Sequence, residues 1–181
     1  MKKHYLAVGL MLASTGISAA EIGIKGGSDF FSATLNTEKT ALGLQYGAEY
    51  MNGERKTQMV EGSIGYGFAF GALSVAPRVG AFWADLDNDK SGSRGMNAGV
   101  RFMAPLPKVD KIWLYLDYSV APDFATRHMH HLYQFEAGLH YQPANWLTLS
   151  SGYRYLSTYG KYGQNDQNLI NGVFIGAAYR F

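Results

Sequence analysis

Apolar residues recur at every second position along most of this chain. In one segment, Val60, Ile64 and Tyr66 share one face of an extended chain, and the opposite face carries Glu61 and Ser63. An alternation of period two is typical of a β-strand with one apolar face. The same pattern occurs in eight segments, at residues 40–50, 60–70, 73–83, 96–104, 112–119, 133–141, 147–155 and 173–181. No comparable segment keeps the 3.6-residue period of a helix, so the pattern predicts an all-β protein.

The predicted strands and connections have the dimensions of a transmembrane barrel. Most strands span about 9 to 11 residues, the length that a tilted strand needs to cross a bilayer. Short connections such as PLPKVDK and QPANW alternate with long polar ones such as DLDNDKSGSRG, APDFATRHMHH and STYGKYGQNDQN. Outer-membrane barrels alternate in this way between periplasmic turns and outer loops. Aromatic residues near strand ends, such as Tyr50, Trp83 and Tyr141, fit interfacial girdles. We therefore expect a transmembrane antiparallel up-and-down β-barrel.

The number of strands depends on the N-terminal stretch EIGIKGGSDFFSATLN. Ile22 and Ile24 share one face of a short alternating segment, and Phe31 and Leu35 share one face of a second. A hairpin turning at residues 27–29 would add two strands and give the even total that bacterial barrels favour. We expect 8–10 strands and favour ten. The alternative is eight strands with an N-terminal periplasmic segment.

Residues 1–20 read as a secretory signal peptide. Lys2 and Lys3 form a basic start, an apolar stretch follows, and Ser18 and Ala20 occupy the small-residue positions before a cleavage site. The apolar stretch is too short to span a membrane as a helix. We expect cleavage near Ala20, export, and a single barrel domain at residues 21–181.

Charge and cysteine content narrow the class of protein. The chain has 16 Lys and Arg against 14 Asp and Glu, and removal of the two signal-peptide lysines leaves the charges balanced. A balanced chain without a basic patch argues against a nucleic-acid partner. The chain contains no cysteine, which excludes a disulfide scaffold. The expected partners are outer-membrane lipid, lipopolysaccharide, the barrel-assembly machinery during insertion, and small solutes. No cofactor is expected.

Charged residues on the inward faces form the main candidate site. They are four acids and four arginines: Glu49, Glu61, Arg78, Arg101, Asp117, Glu136, Arg154 and Arg180. In a narrow barrel such charges are partly desolvated and must be paired or hydrogen-bonded. Arginine suits pairing because its planar guanidinium can bind two carboxylates. The network is either a polar constriction that filters small solutes or a set of salt bridges that fills the lumen.

One outer loop has part of a calcium-binding pattern. Asp85, Asp87 and Asp89 have the one-three-five spacing of an EF-hand loop. The sixth position is Lys90 where glycine is needed, and the twelfth is Met96 where glutamate is needed. The segment therefore reads as a solvated outer loop.

A histidine group is a weak metal candidate. His128, His130 and His131 lie close together in a predicted outer loop, and imidazoles in such proximity can bind zinc or copper. The sequence shows no carboxylate placed to orient them. We therefore expect no metal site.

An enzyme of the barrel type that modifies lipid A would need a serine, a histidine and an acid together. Ser119 shares a face with Asp117, and His140 shares a face with Glu136, but the pattern puts no serine beside a histidine. A role in the lumen charge network explains these residues better, so we expect no catalytic site.

Several stretches resemble the YfaZ family of outer-membrane proteins, which are often labelled porins. The resemblance is strongest in GYRYLSTYGKYGQNDQNLINGVFIGAAYRF, is visible in LYLDYSVAPD, and is looser in EIGIKGGSDF. The stretches cover most of the exported chain, and only the GYRYL block is specific. The resemblance implies an outer-membrane barrel of a Gram-negative bacterium and carries over no catalytic residue.

The final strand resembles the C-terminal signal that the outer-membrane assembly machinery reads. Its apolar face consists of Val173, Ile175, Ala177, Tyr179 and Phe181. The expected function is that of an integral outer-membrane barrel, porin-like or structural. The alternatives are a lipid A-modifying barrel enzyme and a surface adhesin that acts through its outer loops.

Overall fold

The computed structural model describes residues 20–37, 42–53, 57–86, 92–109, 111–160 and 167–181. Within these ranges the chain is almost entirely β-strand. The strands are β1 (Ala20–Gly27), β2 (Phe30–Thr37), β3 (Gly43–Gly53), β4 (Gln58–Phe70), β5 (Leu73–Asp85), β6 (Ser93–Pro105), β7 (Ile112–Ala121), β8 (Thr126–Arg127), β9 (Met129–Ala144), β10 (Leu147–Gly160) and β11 (Gln167–Arg180). A short 3-10 helix at Asp123–Ala125 precedes β8. In the described ranges no helix is long and apolar enough to cross a membrane.

The ten long strands close into an antiparallel barrel. Each pairs with its neighbours along the chain, and β1 pairs with β11, with Ile22 opposite Tyr179. The backbones of Ala20 and Phe181 exchange two hydrogen bonds of 3.1 and 3.0 Å. The prediction of ten strands is confirmed, and the eight-strand alternative is wrong. The N-terminal hairpin turns at Ser28 and Asp29, within the residues proposed for it.

The strand β8 is an addition that the sequence analysis did not predict. Its two residues pair with the start of β6, Arg127 opposite Arg94 and Thr126 opposite Gly95. The main partner of β6 on that side is β7, whose pairing with β6 covers Ala98 to Pro105. The returning chain therefore extends the wall of the barrel beyond the end of β7.

The two ends of the barrel differ in their connections. We call the end that carries Ala20 and Phe181 the turn end. It also carries the connections after β2, β4, β6 and β9, including a two-residue turn in which Gly71 has a φ of +62°, a conformation that suits glycine. The connections after β1, β3, β5, β7 and β10 lie at the other end, the loop end. The three long polar stretches of the sequence connect strands at this end, and outer-membrane barrels carry their long loops on the outside of the cell, so we place the loop end outward.

The distribution of side chains is the reverse of that in a water-soluble protein. On the outer wall the exposed fractions of Ile24, Val173 and Ile175 are 56, 70 and 74 %. Toward the lumen, Ser119 and His140 are buried. Lipid requires an apolar wall and a backbone whose hydrogen bonds are all internal, and the closed barrel provides both.

An apolar layer fills the lumen near the loop end. We call this layer the apolar cap. It consists of side chains from nearly every long strand: Phe30, Met51, Met59, Phe82, Ala84, Leu86, Ala121, Met129, Leu132, Leu156, Leu169, Ile170 and Phe174. Met51, Leu132 and Leu156 are at most 1 % exposed. The alternation placed Phe82 and Phe174 on inward faces but did not predict a continuous apolar layer.

One local prediction is wrong. The strand β9 begins at Met129, so His130 and His131 lie in a strand and not in an outer loop. The strand extends because the antiparallel ladder with β10 continues past the predicted start. His131 is opposite Tyr159 and Met129 is opposite Gly160, with His130 at a register shift between them. Two further predictions, the signal peptide and the loop positions Asp87 and Asp89, fall largely or wholly outside the described residues.

Candidate functional site

A row of charged side chains crosses the lumen wall. Arg101, Asp117, Glu136 and Arg154 are successive cross-strand partners on β6, β7, β9 and β10. All four belong to the inward faces that the alternation predicts. The row places two carboxylates directly beside each other, an arrangement that is unfavourable unless cations approach both.

Asp117 receives two arginines. Arg78 lies in a bidentate position, with its Nη2 2.6 Å from Asp117 Oδ1 and its Nη1 donating to Oδ2 at 2.8 Å. Arg101 donates from Nε and Nη2 to the same Oδ2 at 2.8 and 2.7 Å. Charge-assisted bonds of this geometry are the strong class of hydrogen bond. One carboxylate therefore holds two guanidiniums in a nearly buried position.

Glu136 receives a lysine, a phenol and an arginine. Lys25 Nζ is 2.5 Å from Glu136 Oε1, and Tyr115 donates its hydroxyl to the same oxygen at 2.8 Å. Arg154 Nη1 lies 3.6 Å from Glu136 Oε2. Lys25 was not among the candidates predicted from the sequence, although its place one residue after Ile24 put it on the inward face.

Arg154 also reaches across the lumen to a strand far from its own. It binds Glu49 in a bidentate pair, with Nη1–Oε1 and Nη2–Oε2 distances of 2.5 and 3.1 Å. The Arg154 side chain is 5 % exposed. We call the residues Lys25, Glu49, Arg78, Arg101, Asp117, Glu136 and Arg154 the lumen network.

Two of the eight candidate residues have other surroundings. Glu61 accepts hydrogen bonds from amides, from Asn97 at 3.0 Å and from Gln134 at 3.1 Å. Arg180 is at the turn end. With the Gln142 amide turned so that its oxygen faces Arg180, this oxygen accepts a hydrogen bond from Arg180 Nη1 at 2.8 Å. The structure thus brings six of the eight residues together with Lys25.

The apolar cap rests directly on the lumen network. The Arg154 guanidinium lies 5.4 Å from the centre of the Phe30 ring, and Lys25 Nζ lies 5.1 Å from that of Phe174. The two rings meet edge to face at 6.1 Å. Cations placed over ring faces are stabilised further when water is excluded. The contacts join the charged layer to the apolar layer above it.

A polar space lies on the other side of the lumen network. It has a volume of about 850 Å³, including space open to solvent, and Thr37, Gln45 and Ala76 line it near the turn ends of their strands. Side chains of the lumen network form its inner boundary. Along the barrel axis, the lumen therefore passes from a polar space to a charged layer and then to the apolar cap.

The remaining sequence candidates occupy other surroundings. His130 Nδ1 is 3.1 Å from Asp123 Oδ1, and His128 Nδ1 is 3.2 Å from the Gly92 carbonyl oxygen. Rings of His130 and His131 are 6.2 Å apart. Among the described residues, no group of three His, Cys, Asp or Glu side chains is placed to hold a metal ion.

The residues considered for catalysis take part in lumen packing. Ser119 donates to Gln134 Oε1 at 2.9 Å, so its partner is an amide. His140 packs its ring against Tyr115, with ring centres 4.2 Å apart. In this arrangement the serine hydroxyl bonds an amide oxygen, which does not activate it as a nucleophile.

The proposed assembly face lies on the exterior of β11. It comprises Val173, Ile175, Ala177, Tyr179 and Phe181, and most of these side chains are more than half exposed. Ala177 and Tyr179 are opposite Ile24 and Ile22 of β1, so the face is continuous with the first strand.

A closed β-barrel with an apolar outer wall and a polar lumen is typical of integral outer-membrane β-barrel proteins. A family model described as "YfaZ precursor" matches residues 1–181, and this chain belongs to the YfaZ family. The resemblance seen in the sequence is thereby confirmed. Outer membrane protein YfaZ of Escherichia coli (strain K12) is 22 % identical over 178 residues, which are 97 % of each chain. The chain is located in the outer membrane.

Solved structures with a similar fold include two natural barrels. KdgM porin is 12 % identical, with 91 % of this chain and 99 % of that chain covered and a TM-score of 0.49. The N-terminal β-barrel domain of Pseudomonas aeruginosa OprF is 12 % identical, with 92 and 100 % covered and a TM-score of 0.41.

Proposed function

We propose that this protein is a structural outer-membrane barrel whose lumen is closed to hydrated solutes in the described conformation. The observation that carries the proposal is the apolar cap at the loop end. A hydrated ion that entered from the turn end would meet the lumen network and then side chains such as Leu132 and Leu156, which have no exposed surface. Apolar constrictions block conduction by excluding water.

The lumen network supports the same proposal because it connects strands that are distant along the chain. Arg154 of β10 binds Glu49 of β3 across the lumen, and Lys25 of β1 binds Glu136 of β9. Buried charges that lack partners destabilise a fold strongly, so the strands that carry the lumen network are held in register by one another's charges. A barrel wall braced in this way has a mechanical role without any solute.

A porin-like path for small solutes is the second candidate. The observation that favours it is the polar space at the turn end, which is open to solvent and which a small polar solute could enter from the periplasm. Passage would then require displacement of the apolar cap. The two candidates therefore differ in whether the cap opens.

Single-channel recording of the refolded protein in a planar bilayer separates the candidates. Folding is checked by heat-modifiable gel migration. We expect a silent wild type and discrete conductance steps in the double variant Leu132→Ala/Leu156→Ala, because water would fill the weakened cap. The matched control is Leu139→Ala/Leu149→Ala, which removes the same groups from the exterior of β9 and β10, and we expect it to be silent.

Steady open steps in the wild type would contradict the structural proposal. If Arg101→Ala or Glu136→Ala then changed the size or ion selectivity of those steps, the solute path lined by the lumen network would be the better account.

A further inference from the structure

Two arginines face each other on the exterior wall near the loop end. Arg94 of β6 and Arg127 of β8 are direct cross-strand partners, and both are exposed. On its other side Arg94 is the partner of Trp83 of β5. Trp83, Arg94 and Arg127 thus form a row across three strands, which we call the exterior row.

The position of Trp83 locates the exterior row relative to the membrane. Its side chain is 46 % exposed on the outer wall. Gly92, with a φ of +68°, lets the indole lie close to the start of β6, since a Cβ there would come within 2.8 Å of Trp83 Nε1. Tryptophan is enriched at the headgroup level of the membrane, and the loop end faces outward. The two guanidiniums therefore lie near the headgroups of the outer leaflet.

The charges of the exterior row are not compensated by the described residues. Like charges directly opposite each other across two strands are unfavourable. In the lumen, the like-charged pair Asp117 and Glu136 receives cations on both carboxylates. Here, none of the described carboxylates forms an ion pair with Arg94 or Arg127, and this includes Asp85, which lies on the same face as Trp83 two residues further along β5.

We propose that Arg94 and Arg127, together with Trp83, bind the phosphate-bearing headgroup of an outer-leaflet lipid. A guanidinium pair matches the geometry and charge of a phosphate. The occupant is a lipid because the row continues into an apolar wall. Met96, two residues from Arg94 toward the turn end on the same face, is 60 % exposed, where acyl chains of a bound lipid would lie.

The test uses the refolded full barrel in micelles of a maltoside detergent, which carries no phosphate, with binding measured by native mass spectrometry. The probes are diphosphoryl lipid A, the same lipid after removal of its phosphates, and inorganic phosphate. We expect Arg94→Gln and Arg127→Gln each to weaken binding of diphosphoryl lipid A on the order of tenfold, because each removes a charge-assisted contact. The matched control is Lys108→Gln, which removes an exposed cation at the turn end and should change nothing.

The unfolding temperature provides a second test, because the expected effect of Arg127→Gln on it has opposite signs without and with diphosphoryl lipid A. In maltoside micelles alone, Arg127→Gln relieves the repulsion on Arg94, so the unfolding temperature should stay equal or rise. With diphosphoryl lipid A present, the same variant should unfold at a lower temperature than the wild type. A merely structural role of Arg127 would lower the unfolding temperature in both media.

Three results would overturn the proposal. They are equal lipid A binding by the wild type and the Arg94→Gln/Arg127→Gln double variant, equal binding of the phosphorylated and dephosphorylated lipid, and complete displacement of the lipid by millimolar inorganic phosphate. The last result would assign the row to free anions. None of these results depends on whether the lumen conducts, so this proposal and the closed-barrel proposal fail independently.

Discussion

Asp117 and Glu136 are direct cross-strand partners on β7 and β9, and both carboxylates point into the lumen. Their mutual repulsion is compensated from two directions. Arg78 and Arg101 bind Asp117 from the neighbouring strands on one side, whereas Lys25, 111 positions away along the chain, binds Glu136 from across the lumen. The stability of the barrel therefore depends on contacts between strands that are not neighbours, in addition to the backbone ladder.

Arg154 should be the most sensitive member of the lumen network. Arg154→Ala leaves Glu49 without its bidentate partner and removes a cation from Glu136, so we expect a loss of about 3–5 kcal/mol in the free energy of unfolding. Urea titration in lipid vesicles, followed by tryptophan fluorescence and gel migration, measures it. Lys108→Ala, which removes an exposed cation, serves as the control. If Glu49→Ala/Arg154→Ala were no more stable than Arg154→Ala, the pair would not be coupled.

Removal of the Asp117 carboxylate should destabilise the barrel more than removal of one of its two arginine partners. Asp117→Asn leaves two guanidiniums without a carboxylate and should cost about 3 kcal/mol. Arg78→Met should cost less, because Arg101 still compensates Asp117. The ratio of the two losses in the same urea titration is the measurement, with exposed Asp85→Asn as the control. A larger loss for Arg78→Met than for Asp117→Asn would contradict the shared-carboxylate geometry.

The close approach of β9 and β10 should depend on two opposed glycines. Gly138 is the cross-strand partner of Gly152, and a Cβ at Gly138 would collide with the Ser151 carbonyl oxygen and approach Gly152 Cα within 2.8 Å. We expect Gly138→Ala to cost about 1–3 kcal/mol through strain.

The matched control for that strain is Gly62→Ala. A Cβ at Gly62 meets no atom within 4 Å, and alanine reduces the freedom of the unfolded chain, so this variant should be neutral or slightly stabilising. The measurement is the free energy of unfolding of Gly138→Ala and Gly62→Ala, determined under the same conditions. Equal losses would mean that the glycines act through strand propensity and not through packing.

The inward and outward leucines of β10 should differ in their contribution to stability. Leu156 is fully buried in the apolar cap, so Leu156→Ala leaves a cavity and should cost about 2–5 kcal/mol. Leu149 is on the exterior and 39 % exposed, and lipid can fill the space that Leu149→Ala leaves, so its cost should be about 1 kcal/mol. Unfolding free energies of the two variants in the same vesicles provide the comparison. A smaller loss at Leu156 would indicate a hydrated cap.

Much of the fold could be predicted because a strand repeats every two residues and lipid tolerates only an apolar exterior. The spacing of Val173 and Ile175 was therefore enough to predict their strand and the face that it turns to lipid. The same alternation predicted that the charged side chains point into the lumen. The start of β9 could not be predicted, since His130 and His131 interrupt the apolar pattern. The ladder continues through His131 to Met129 only because β10 extends beside them.

The amino-acid sequence by itself determined the strands, the faces they turn to lipid, and the residues that enter the lumen, because these depend on local alternation. The tertiary structure alone decided which inward charges meet, such as Lys25 with Glu136, and that leucines and methionines of separate strands form one cap. It also decided that Arg94 faces Arg127. These relationships depend on strand number, register and closure, and they bring together residues whose distance along the chain carries no information about their distance in space.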